Sequence, residues 1–81
     1  MYVQGEEMIK KSASLRGQGE FDEAVNLIEE NMDLIDPSIR LHAWVEAFKA
    51  ADESGNFSLA KKYAQVVAQE NPDLPGINKY L

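Results

Sequence analysis

The sequence contains no cysteine, one histidine, one tryptophan and three prolines in 81 residues. Each shortage excludes something. Without cysteine there is no disulfide framework, thiolate nucleophile or thiolate metal site. A lone histidine, His42, cannot by itself supply the three or four nitrogen and sulfur ligands that zinc takes. No metal or cofactor is therefore expected. No apolar run approaches the roughly 20 residues needed to cross a bilayer, so no membrane partner is expected. Glu6 and Glu7 lie where a secretory signal would need its apolar stretch, and a cytoplasmic setting is expected. Basic residues are outnumbered 8 to 14, for a net charge of −6. Such a chain lacks the cationic face that binds a phosphate backbone, and no nucleic-acid partner is expected. No Gly-x-Ser-x-Gly elbow surrounds Ser12, Ser14, Ser38, Ser54 or Ser58, and no phosphate loop occurs. Acid–base work by His42 would need an enclosing pocket. The expectation is a protein that is not an enzyme.

Apolar residues at 44% and charged residues at 27% are ordinary for a chain that folds. At this length the chain is a single domain over residues 1–81, whose one core gives only a few kcal/mol of net stability. The pattern that organises it occurs twice. Gly19-Glu20-Phe21-Asp22-Glu23-Ala24 and Gly55-Asn56-Phe57-Ser58-Leu59-Ala60 both read Gly-x-Phe-x-x-Ala. A glycine can take the left-handed conformation that ends one helix while its neighbours begin another. Phe and Ala three apart then share a face of the new helix.

Four helices follow from this reading. The first runs from about Val3 to Arg16, with Met8, Ile9, Ser12, Ala13 and Leu15 as its less polar side and a first turn weakened by Gly5. The second, from about Glu20 to Leu34, carries a continuous stripe of Phe21, Val25, Ile28, Met32 and Ile35. Asp36-Pro37-Ser38 signals the start of the third. It is expected to reach Glu53, with Leu41, Trp44, Phe48 and Ala51 on one side and Ala43, Ala47 and Ala50 as a close-approach surface. The fourth runs from Asn56 to Glu70 on Phe57, Ala60, Ala64 and Val67. Asn71-Pro72 ends it, and Leu74, Ile77, Tyr80 and Leu81 are spaced as one side of a short capping helix. The fold class expected is all-α: two antiparallel helix hairpins with a C-terminal cap over residues 73–81.

Two hairpins offset by 36 residues, with small residues at their contacts, resemble tetratricopeptide repeats over roughly Glu6 to Pro72. Trp44, Gly55, Ala60 and Asn71-Pro72 carry the resemblance in the second copy, and Ser12, Leu15, Gly19, Phe21 and Ala24 in the first. Phe48 departs from it, standing where that family has a small residue, and Met8 replaces the early aromatic. The resemblance implies a right-handed stack of repeats, the first covering about residues 5–36 and the second 37–72. It also implies a concave groove lined by the first helix of each repeat, which holds a peptide or a partner helix. Carried over residue by residue, the groove is Glu6, Ile9, Ala13 and Arg16, then His42, Val45, Lys49 and Asp52.

Two functions are expected from these surfaces. One is an adaptor or small regulator that binds another protein through the groove, with Arg16, His42 and Lys49 meeting acidic groups. The other is an acidic inhibitor or decoy that docks on a basic or nucleic-acid-binding partner through Asp22, Glu29, Glu30 and Asp33. The ordinary use of either stripe is a solvated helix face. Self-association through an exposed repeat end, giving a homodimer, is a further expectation, because two repeats are fewer than such arrays usually stack.

Overall fold

Two left-handed glycines set the architecture. In the computed structural model, which describes residues 5–81, Gly19 and Gly55 have φ of +83° and +78°. The N–H of the following residue turns back in each case, from Glu20 to the Leu15 carbonyl (2.9 Å) and from Asn56 to the Ala51 carbonyl (3.1 Å). This is the closing bond of a glycine C-cap, and it lets the chain reverse within a few residues. The helices on either side are α1 (Gly5–Gly17) and α2 (Phe21–Glu30), then α3 (Arg40–Ser54) and α4 (Phe57–Glu70). Three 3-10 turns complete the order at Met32–Leu34, Pro37–Ile39 and Asn78–Tyr80. The protein is all-α, built of helical hairpins, with no strand among the described residues.

The elbows match in detail. Ala24 and Ala60 are fully buried, and each donates its N–H to the residue that caps its helix, Glu20 (3.0 Å) or Asn56 (2.9 Å). Only the second elbow gains a side-chain cap, Asn56 Oδ1 accepting from the Leu59 N–H at 3.2 Å. Glu20 makes no such bond. The first elbow has a different tie: Ser12, fully buried in α1, donates its hydroxyl to the Ala24 carbonyl at 2.9 Å.

The core centres on α3, which packs against α1, α2 and α4. Ala43, Ala47, Ala50 and Ala51 are all fully buried there, and their small side chains admit neighbouring helices on several sides. Phe48, 3% exposed, is buried on the side of α3 where its spacing with Leu41, Trp44 and Ala51 placed it. The C-terminal segment covers it: the Tyr80 ring meets Phe48 edge-on at 5.7 Å and 84°.

Several expectations are corrected. The second helix ends at Glu30, four residues short of Leu34, because Asn31 donates its side-chain amide to the Leu27 carbonyl (2.8 Å) and the chain tightens into a 3-10 turn. Ile35 is thereby buried from extended backbone outside the helix. Asp36 does cap, accepting from the Ser38 N–H at 2.9 Å, but it caps the turn Pro37–Ile39, and the α-helix begins at Arg40. Gly5 does not weaken a free first turn. It is buried, and a methyl group there would lie 3.0 Å from Ile39 Cδ1 and 3.3 Å from the Asp36 nitrogen. The expected start at Val3 lies outside the described residues.

Phe57 is 72% exposed, although the sequence stripe placed it in the core. It opens α4, where its ring lies against Tyr80 at 6.0 Å and 53°, and Tyr63, fully buried, fills the core in its stead. The capping segment folds back as expected but as a 3-10 turn, since Pro72, Pro75 and the left-handed Gly76 (φ +91°) leave no room for a longer helix. Its Ile77 is fully buried, whereas Leu81 remains 58% exposed.

Gly17 and Gly19 separate two uses of glycine. Gly17 closes α1 with nothing within 4 Å of an added methyl, whereas Gly19 holds a positive φ. In urea melts Gly17→Ala should stabilise by about 0.5 kcal/mol and Gly19→Ala should destabilise by about 1 kcal/mol. Equal effects of one sign would show that the elbow is not held left-handed.

Candidate functional site

α1 and α3 lie side by side and leave a groove of about 420 Å³ between them. Ile9, Ile39 and Val45 give it an apolar floor, and Glu6, Lys10, His42, Glu46 and Lys49 surround them. Helical spacing explains the convergence. Glu6, Ile9 and Lys10 lie at steps of three and one on α1, and His42, Val45, Glu46 and Lys49 at steps of three, one and three on α3. Five residues of the sequence-derived stripe therefore line one surface: Glu6, Ile9, His42, Val45 and Lys49.

Three others do not. Ala13 is half-buried beyond the groove's lining residues. Arg16 turns to α3, where its guanidinium reaches Glu53 at 2.7 Å and Glu46 at 3.3 Å. Asp52 turns to the C-terminal segment, accepting from the Tyr80 hydroxyl and pairing with Lys79 at 3.0 Å. The 36-residue offset put Arg16 and Asp52 in equivalent places, and both join one packed element to the next. Lys10, Ile39 and Glu46 were missed. Lys10 adjoins Ile9 on the same side of α1, a signal the hydrophobic pattern passed over, and Ile39 precedes the α-helix, where helical spacing has no bearing.

The acidic stripe of α2 is divided in the same way. Glu29 Oε1 accepts from the Tyr63 hydroxyl and from Lys62 Nζ, the latter at 2.9 Å, tying α2 to α4. Asp22 lies at the opposite end, in an open depression with Phe21 and Glu23 beside the second elbow at Ser54, Gly55 and Asn56. Glu30 and Asp33 are exposed. Asp22, Glu29, Glu30 and Asp33 thus do not form one free face.

The bonds to Glu29 and Asp52 are two copies of one arrangement. In each, a Lys-Tyr dipeptide holds a single carboxylate oxygen, and the lysine nitrogen lies over the ring of its own tyrosine, at 5.4 Å for Lys62 and 5.2 Å for Lys79. The Tyr63 hydroxyl bond, then Lys62, hold the Glu29 carboxyl below its usual range, outweighing the opposing effect of burial. The Tyr80 hydroxyl bond and Lys79 do the same for Asp52. Burial first, and then Glu29, push the Tyr63 phenol well above its usual value. Tyr63 also stacks on Trp44 at 5.4 Å with a 31° tilt. Trp44, expected in the core, is half-buried and lines a cleft of about 520 Å³ with Leu41, Val66 and Glu70.

No three histidine, acidic or cysteine side chains are placed to share a metal ion among the described residues, and none of the described helices is long and apolar enough to cross a membrane. Comparison with protein-family models, with curated proteins and with solved structures finds no match to the chain.

A carboxylate whose pKa is depressed by folding stabilises the fold above its unfolded pKa and loses that contribution as pH falls through the folded one. Unfolding free energy should therefore hold above about pH 4.3, the ordinary glutamate value, and decline below it. Glu29→Gln should flatten that decline, and an unchanged acid profile would contradict the Glu29 bonds. At neutral pH, Tyr63→Phe should cost about 1 kcal/mol, discounted from the roughly 1.5–3 kcal/mol of a charged hydrogen bond for the partial exposure of Glu29.

Proposed function

We propose that this protein is a non-enzymatic interaction module, an adaptor or small regulator that binds a peptide or partner helix of another protein in the groove between α1 and α3. The observation that carries the reading is the composition of that groove, a floor of Ile9, Ile39 and Val45 within a charged rim. Apolar floors give affinity by excluding water, and charged rims select partners. Its open shape suits a chain segment better than a small molecule, which needs most of its surface enclosed.

The kinship with tetratricopeptide repeats belongs to this proposal. Its support is the pair of matched elbows, with left-handed glycines 36 residues apart and a buried alanine after each. The chemistry expected of the ligand differs from that of the sequence reading. Arg16 is held by Glu46 and Glu53, so the cations lining the groove are Lys10 on α1 and Lys49 on α3, the latter 47% exposed and only 3.9 Å from Glu46, with His42 on the same side of α3. The decoy reading has less behind it, because Glu29 is engaged by Tyr63 and Lys62 and Asp22 stands apart from Glu30 and Asp33.

The test is selection from a displayed library of random 12-residue peptides on the wild type and on Val45→Glu, followed by amide chemical-shift mapping of one enriched peptide. Peptides that enrich on the wild type, move the amides of Ile9, His42, Val45 and Lys49 and are lost with Val45→Glu are expected, while the variant keeps its helical circular dichroism. Enrichment that survives Val45→Glu, or shifts confined to α2, would overturn the groove as the binding surface.

A further inference from the structure

The two Lys-Tyr clasps use the same chemistry in different settings. The one on Glu29 ends in a fully buried tyrosine, Tyr63, wedged against Trp44. The one on Asp52 ends in a half-buried Tyr80 and a Lys79 side chain 60% exposed. The first fastens one helix to another. The second fastens a segment that contains no α-helix and is preceded by a natural hinge, with Pro72, Pro75 and the left-handed Gly76 in five residues.

That segment has few other holds. Within it, the Tyr80 N–H reaches Ile77 and the Leu81 N–H reaches Asn78 (2.9 and 3.1 Å), so both bonds are internal and give the segment no hold on the helices, and a single detached turn would not keep them. The Leu74 N–H bonds to Asn71 at a long 3.4 Å. Against the helices it has the buried Ile77, the half-buried Leu74 packed on the core, the ring contacts of Tyr80 with Phe48 and Phe57 (5.7 and 6.0 Å) and the Asp52 clasp. Beside them, Leu74 and Pro75 wall a cleft of about 270 Å³ with Val45, Phe48 and Lys49. A region held by few apolar contacts and one polar fastening can open on its own below global unfolding.

We infer that residues 72–81 form a strap, hinged at residues 72–76 and latched by the Asp52 carboxylate through Tyr80 and Lys79, that opens as a unit while the four helices stay folded. Opening uncovers Phe48 and withdraws Leu74 and Pro75 from Val45 and Lys49. Those two residues also line the α1–α3 groove, so the strap sets how far the apolar surface beside that groove extends. That consequence for binding rests on the groove reading of the preceding section, whereas the opening itself does not.

The absence of cysteine gives a direct test, because one introduced thiol is the only reactive one. Ile77→Cys and Ile28→Cys place it at two fully buried positions, one under the strap and one in α2, and labelling by a soluble disulfide reagent under native conditions reads how often each is uncovered. The thiol at position 77 should react at least tenfold faster than the one at 28. Adding Asp52→Ala should accelerate the former by roughly tenfold and the latter by less. Alanine's better helix propensity at position 52 partly offsets the loss of the clasp for global unfolding but not for strap opening, in which α3 stays helical. Amide exchange of Tyr80 and Leu81 with Asp52→Ala in the otherwise natural sequence checks the result without a thiol. Equal labelling at both positions, or a rate at position 77 and amide exchange at Tyr80 and Leu81 indifferent to Asp52→Ala, would overturn the strap. Because no ligand enters the assay, that failure is distinct from failure of the groove to bind peptides.

Discussion

The close approach of three helices to the alanines of α3 is the constraint on which the rest depends. Ala43, Ala47, Ala50 and Ala51 are fully buried, and a helix bearing larger residues at those positions would hold its neighbours several ångströms further away. The consequences reach beyond the core. α1 comes close enough to α3 for the two to share a groove, and α2 close enough to α4 for Glu29 to meet both Tyr63 and Lys62. A domain of this size has little stability in reserve. One well-packed central helix uses a small core efficiently.

Polar bonds then fix the relations that packing leaves loose. Ser12 to the Ala24 carbonyl binds α1 to α2, Arg16 to Glu46 and Glu53 binds α1 to α3, and Glu29 binds α2 to α4. Asp52 does the same for the C-terminal segment. The acids that oppose the dipole near the end of α2 thereby gain a physical account in one case: Glu29 is placed for Tyr63 and Lys62, which are distant in sequence.

What was legible in the sequence was what local chemistry decides. The elbows at Gly19 and Gly55, the cap at Asp36 and the alanine face of α3 each follow from a few adjacent residues. The exchange of Phe57 for Tyr63 was not legible, because both fit a helical period and burial was decided by where α4 begins relative to α3. The stripe read for the fourth helix left Tyr63 out, although Ala60, Tyr63, Ala64 and Val67 lie on one side. For the candidate site, the offset of 36 put Ile9, His42, Val45 and Lys49 in one stripe, and they line one surface in the structure. It could not reveal that Arg16 and Asp52 would be claimed by partners 30 or more and 27 or more residues away, since an internal repeat fixes position along a helix and says nothing of ion pairs between elements.

If α3 is the centre of the fold, its backbone must be the last to open. Native-state amide exchange of the unaltered protein, followed residue by residue, measures this directly. The account predicts that the slowest amides are those of residues 43–51, exchanging at the free energy of global unfolding, with residues of α1 and α4 faster toward their outer ends. Slowest exchange in α1 and α2, with α3 opening earlier, would contradict it and place the core in the first hairpin.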